Sequence, residues 1–129
     1  MMKKLLSTAA LALATLTIAA GPAPMEWSVD ESHTGIGFSV KHFFTPAKGQ
    51  FDDSEIDLVF DRDNPANSSV EVRIDVASVN TGNERRDEHL LSADFFDAER
   101  YPHITFTSEQ VRRVSRDEIV VRGPLTIRD

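Results

Sequence analysis

The sequence has 129 residues, with 14 Lys and Arg against 21 Asp and Glu, for a formal charge of −7. That balance excludes nucleic acid as a partner, because phosphate binding needs a cationic excess. The absence of cysteine excludes disulfides and thiol chemistry, and the length suits one domain.

The chain opens with Met1-Met2-Lys3-Lys4, then an apolar run from Leu5 to Ala20 broken only by Ser and Thr, then Gly21-Pro22. A charged start, a short apolar centre and small residues at the exit predict a secretory signal peptide over residues 1–20. Ile18 and Ala20 take the −3 and −1 positions of a cleavage after Ala20. A membrane anchor fits less well, since the run is rich in Ala and Thr and stands at the lower limit of the roughly 17 to 25 residues that span a bilayer. No cysteine follows it to carry a lipid. The expected product is an exported periplasmic chain without a stable membrane anchor, one domain over residues 21–129, with a charge of about −9 once Lys3 and Lys4 are removed.

Trp27-Ser28-Val29 predicts a short first strand. From Thr34, TGIGFSVKHF alternates, with Ile36, Phe38, Val40 and His42 on one face and Gly35, Gly37, Ser39 and Lys41 on the other. Strict alternation marks a strand with one buried face. It recurs in EIDLVF, where Ile56, Leu58 and Phe60 share a face, and in SVEVRIDVASV, where Val70, Val72, Ile74 and Val76 oppose Glu71, Arg73 and Asp75. The turn formers of Asp61 to Asn67 separate the last two, so an antiparallel meander follows.

The period breaks once, between Asn80 and Pro102. Thr81 with Glu84 three positions on has the form of a capping box, and Glu84 to Leu91 predicts a helix of about two turns, with Arg85 and Glu88 spaced as an i,i+3 pair. Continued helix would place Leu91 and Phe95 on one face. After Pro102 the alternation resumes with Ile104 and Phe106, and a bulge near Ser108 to Gln110 brings Val111 back into phase. Ser115 to Glu118 forms a hairpin turn. Ile119 to Val121 and Leu125 to Ile127 make the last strand or strand pair, interrupted by Gly123-Pro124 at an edge or bulge.

Strands with one apolar and one charged face must pack against a second sheet or close into a barrel. A solid core and an incompletely filled lumen fit the alternation equally. The packed core is the commoner outcome.

A family resemblance shifts that balance. Asp30-Glu31-Ser32-His33-Thr34, Gly37 to His42 and Lys48-Gly49-Gln50-Phe51 resemble the opening of the YceI-like family of exported lipid-binding proteins. The likeness continues through Ser68 to Val72, Ile74-Asp75 and Ser78 to Asn83. It is strongest in Arg86 to Leu90, Ser92 to Asp97 and Tyr101 to Phe106. The resemblance implies an all-β, lipocalin-like antiparallel β-barrel with one short helix over an end, holding a polyisoprenoid or fatty-acyl chain and no cofactor. Phe38, Val40, His42, Leu58, Phe60, Val72, Ile74, Phe95 and Phe106 are then the lipid-binding residues. Two departures stand out: the family continues past Leu125 to Arg128 with further strands, and Pro124 replaces a polar residue. They predict an incomplete barrel, either in a fragment or in a homodimer whose two chains complete each other.

Catalysis finds little support. His33, His42, His89 and His103 match no zinc spacing, so no metal is expected. A hydrolase built from His89 with Asp87, Asp94 or Ser92 has no nucleophile elbow, and its members crowd one short segment rather than converging from several. His42 either bonds a lipid headgroup or caps the barrel mouth, and the second role suits it better. Phe95-Phe96 either anchors the helix or closes a lid over the ligand. The expected function is sequestration or carriage of an apolar lipid chain. An enzyme of lipid or envelope metabolism and a truncated domain without binding activity are the alternatives.

Overall fold

The structure, a computed structural model, describes residues 21, 23–30, 32–42 and 44–129, with His42 described by its backbone alone. The predicted signal peptide, residues 1–20, lies outside the described residues.

Among the described residues, ten strands and one α-helix follow in order: β1 Met25–Trp27, β2 Ile36–His42, β3 Thr45–Phe51, β4 Ser54–Phe60, β5 Ser69–Asp75, β6 Val79–Asn80, α1 Glu84–Leu91, β7 His103–Thr107, β8 Gln110–Arg113, β9 Ile119–Arg122 and β10 Leu125–Thr126. All strand pairs are antiparallel. They form a five-stranded sheet in the order β1-β4-β5-β7-β10, a three-stranded sheet β2-β3-β6 and a β8-β9 hairpin. The expected all-β fold with one short helix is present. Among the described residues the sheets do not close into a barrel, because β1 pairs only with β4 and β10 only with β7.

Several local differences have identifiable causes. The first strand runs from Met25 to Trp27 rather than from Trp27 to Val29, because Asp30 starts a turn in which His33 N–H donates to the Asp30 carbonyl (3.1 Å) and Ser32 N–H to Asp30 Oδ1 (3.0 Å). β3 is unexpected, since TPAKGQF holds a proline, a glycine and one large apolar residue. Pairing with β2 over all seven residues overrides that weak local preference. β5 ends at Asp75, where Asp75 Oδ1 accepts Ala77 N–H (3.0 Å) and Ser78 Oγ donates to the Asp75 carbonyl (2.7 Å), folding Val76–Ser78 into a 3-10 turn.

The break expected near Ser108 falls at Ser108-Glu109. Ser108 N–H still reaches the Val70 carbonyl (2.9 Å), whereas Glu109 N–H already bonds Arg122 (2.7 Å), so the chain leaves β5 there and pairs onward with β9. Gly123 then passes so close to Thr107 that a Cβ would lie 1.9 Å from its carbonyl oxygen. No side chain fits there, which explains the glycine between β9 and β10.

The core is small and sits where the two larger sheets meet the helix. Phe51, Ile74, Val76, Val79 and Ile104 are buried, with Ile36, Phe38, Val72, Leu90, Leu91, Phe96 and Ala98 packed around them. Phe51 is its hub, with ring centroids 5.5 Å from Phe38 and 5.8 Å edge-on from Phe96, distances at which aromatic pairs attract beyond their buried area.

Candidate ligand-binding face

Directly opposed residues of an antiparallel ladder put their side chains on one face. Trp27 opposes Leu58, which opposes Val70. Ile56 opposes Val72, which opposes Phe106, which opposes Leu125. Met25–Phe60 and Ile74–Ile104 complete the set. One face of the five-stranded sheet is therefore apolar across its whole width, while Glu55, Asp57, Glu71 and Arg73 occupy the other. The core covers the Ile74–Ile104 end. At the flanks the face opens to solvent, with Met25 64% exposed, Trp27 45% and Leu125 60%.

Five of the nine expected ligand residues, Leu58, Phe60, Val72, Ile74 and Phe106, lie on this face. Ile74 is buried and the other four are half-buried. Phe38 reaches the same core from β2. Val40 is 56% exposed and belongs to β2, outside the five-stranded sheet. His42 has no described side chain.

Phe95 is placed differently from the expectation. The helix stops at Leu91, so Phe95 does not follow Leu91 on one helical face. Its ring is 49% exposed and stands edge-on to His89 at 5.0 Å, and Phe96 enters the core instead. Arg128 holds this turn, donating through Nη1 to the Phe95 carbonyl (3.1 Å).

The helix start also differs. Asn83, not Thr81, is the N-cap, its Oδ1 accepting Arg86 N–H at 3.0 Å. Asn ranks at least equal to Thr as a cap, and that was the available signal. Thr81 serves the approach, donating from both its N–H (3.0 Å) and its hydroxyl (2.6 Å) to Asp87 Oδ1. The expected Arg85–Glu88 pair is absent from the ion pairs of the described residues, and Arg86 folds back onto Thr81.

The three histidines with described side chains each take a separate partner. His33 Nδ1 meets Asp30 (2.7 Å), His89 Nε2 meets Asp94 (3.1 Å), and His103 Nε2 accepts from Arg73 Nη2 (2.7 Å). The last bond fixes the His103 proton on Nδ1, a buried atom without a partner among the described residues. Of the hydrolase candidates His89 and Asp94 do meet, whereas Ser92 Oγ donates to the His89 carbonyl (2.6 Å) and Asp87 accepts from Thr81. Asp30, Ser32 and His33 also meet. Both Ser32 and Asp30 contact the same ring nitrogen, so no relay runs from hydroxyl through imidazole to carboxylate. The Ser32 and His33 hydrogen bonds hold the exposed Asp30 carboxyl below its usual pKa.

A shallow groove of about 810 Å³ runs over Gly37, Phe38, Ser39, Lys48, Gly49 and Thr81. Of the expected ligand residues it uses only Phe38. Its floor is set by Gly49, directly opposite Phe38. A Cβ there would lie 2.4 Å from the Phe38 ring and 2.9 Å from the Thr81 methyl, so the ring covers the glycine.

An antiparallel all-β chain with a split apolar interior and one capped helix defines a class of small β-rich domains. The particular family follows from comparison: residues 27–129 match the YceI-like domain, and the chain belongs to that family. It is 37% identical over 126 residues to the UPF0312 protein plu2095 of Photorhabdus laumondii, covering 97% of this chain and 65% of that protein. It is also 37% identical over 130 residues to Protein YceI of Escherichia coli O157:H7, covering 98% and 66%. The chain thus spans about two thirds of the length of the curated relatives it matches, 65% and 66%. Among solved structures, Burkholderia cenocepacia BcnA is similar with a TM-score of 0.75 at 30% identity, over 78% of this chain and 64% of that one. The Campylobacter jejuni YCEI protein gives 0.61 at 38% identity, over 78% and 60%. These relatives do not carry the names of enzymes.

Proposed function

We propose that this chain binds an apolar lipid chain, of polyisoprenoid or fatty-acyl type, along the apolar face of its five-stranded sheet. The observation that carries the reading is the unbroken row Ile56–Val72–Phe106–Leu125, whose outer member is left in water. Burying apolar surface yields roughly 25 cal/mol per Å², so a long hydrocarbon laid across the strands gains from every row it covers. Four inter-strand spacings make this face about 19 Å wide. Family membership supports the reading, and the charged amino-terminal start followed by an apolar run supports export to the periplasm as the setting.

Native mass spectrometry of the chain purified from its own envelope tests this. The expected result is a stoichiometric long-chain adduct that apolar solvent removes. A chain that arrives empty and takes up no added fatty acid or polyisoprenol removes the proposal, and turnover of such a lipid replaces it with an enzyme.

A further inference from the structure

We propose that the tip of the β2–β3 hairpin docks on an anionic bilayer surface, with Phe44 entering the interface and Lys41 and Lys48 meeting the headgroups. Phe44 is 103% exposed, and Val40 next to the tip is 56% exposed. A phenyl ring left fully in water at the end of a hairpin, with a partly exposed aliphatic beside it, has the form of an interfacial anchor.

The charge distribution agrees. After residue 20 the only lysines in the sequence are Lys41 and Lys48, and all 21 acidic residues lie outside 32–51. The register places Lys41 opposite Pro46 and Ser39 opposite Lys48, so both ammonium groups leave the same face of the ribbon. An acidic chain thus presents one basic, acid-free projection.

The hairpin also stands apart from its neighbours. The outer edge of β3 pairs with β6 only at Gln50 and Phe51, and toward the tip no other strand joins the ribbon among the described residues. From Thr45 to Asp52 the extended chain covers about 23 Å, more than twice the Debye length of about 8 Å at physiological salt. A surface touching the tip is therefore screened from the carboxylates of Asp52 and Asp53. None of these residues belongs to the five-stranded sheet, so docking and ligand binding are separable.

Cosedimentation of the full chain with vesicles of mixed phosphatidylglycerol and phosphatidylethanolamine, against phosphatidylcholine vesicles, tests the proposal. Expected is at least tenfold greater partition into the anionic vesicles, falling as salt rises. Phe44→Ser lowers that partition at least tenfold, and replacing Lys41 and Lys48 by Ser removes the anionic preference at about fivefold per lysine. Both variants keep the parent's melting temperature, since the three side chains are exposed. Equal partition into the two vesicle types, or undiminished binding by the Phe44→Ser variant, overturns docking. A dimer formed without vesicles and dissolved by Phe44→Ser also overturns it, in favour of a second copy of the chain.

Discussion

Arg128 Nη2 stands 3.6 Å from Asp97 Oδ2, joining the segment just beyond β10 to the turn that follows the helix. Asp97 is buried, holds a left-handed φ of 50° and also meets Arg100 at 3.7 Å. The Arg128 guanidinium lies 5.4 Å from the Tyr101 ring centre. Arg128→Ala leaves the carboxylate with only its more exposed partner, and should cost about 1 to 3 kcal/mol in urea unfolding. Arg128→Lys should recover only part of that, since an ammonium cannot reproduce the planar fork. Arg100→Ala should cost less than about 1 kcal/mol.

The two neighbouring phenylalanines should separate cleanly. Phe96→Ala removes a ring that packs on Phe51 and should cost about 2 to 4 kcal/mol. Phe95→Ala removes a half-exposed ring that stands on His89 and should stay below about 1 kcal/mol. Equal losses in chemical unfolding would mean that the two rings are buried alike.

Glycine replacement should distinguish side-chain from backbone crowding. Gly49→Ala forces the Phe38 ring aside and should cost about 1 to 3 kcal/mol. Gly123→Ala meets the Thr107 backbone, which cannot step aside, and should be the more damaging of the two in a thermal melt.

Asp61 gives the fold an acid sensitivity. Its carboxylate accepts N–H bonds from Asn64 (2.8 Å) and Asp63 (3.0 Å) and a bond from Asn67. The Asn64 bond is foremost in holding its pKa below the ordinary 3.8, against the opposing effect of burial. A lowered folded-state value means that this stabilisation is complete above the unfolded pKa and is lost as pH falls through the folded one. Asp61→Asn should therefore melt earlier than the parent at pH 7, and the gap should close below about pH 4.

Leu125→Asp places a charge at the open flank of the apolar face without disturbing the core, since Leu125 is largely exposed. An environment-sensitive fatty-acid probe should bind this variant at least tenfold more weakly at an unchanged melting temperature. Undiminished probe binding would move the ligand away from the Phe106–Leu125 end.

Much of the sheet was legible residue by residue. Alternation located β2, β4, β5 and β7 and assigned Leu58, Val72, Ile74 and Phe106 to one face, because side-chain direction in a strand is a local property with period two. The helix was legible from its own charges and apolar tail. β3 was not, since its extended form comes from pairing with β2 rather than from its own residues. Phe95 and Phe96 are alike in composition, and only the stop at Ser92 and the Arg128 clamp decide which ring turns inward.

The antiparallel strands, their apolar faces, the short helix and the family were legible in advance, because all of them rest on local periodicity or on motif order. Folding, and not the pattern, sets which strand edges lack a partner among the described residues, that the core gathers at one end of the sheet, and that Phe44 is exposed at the hairpin tip. These depend on contacts between residues far apart in the chain, which side-chain alternation does not encode.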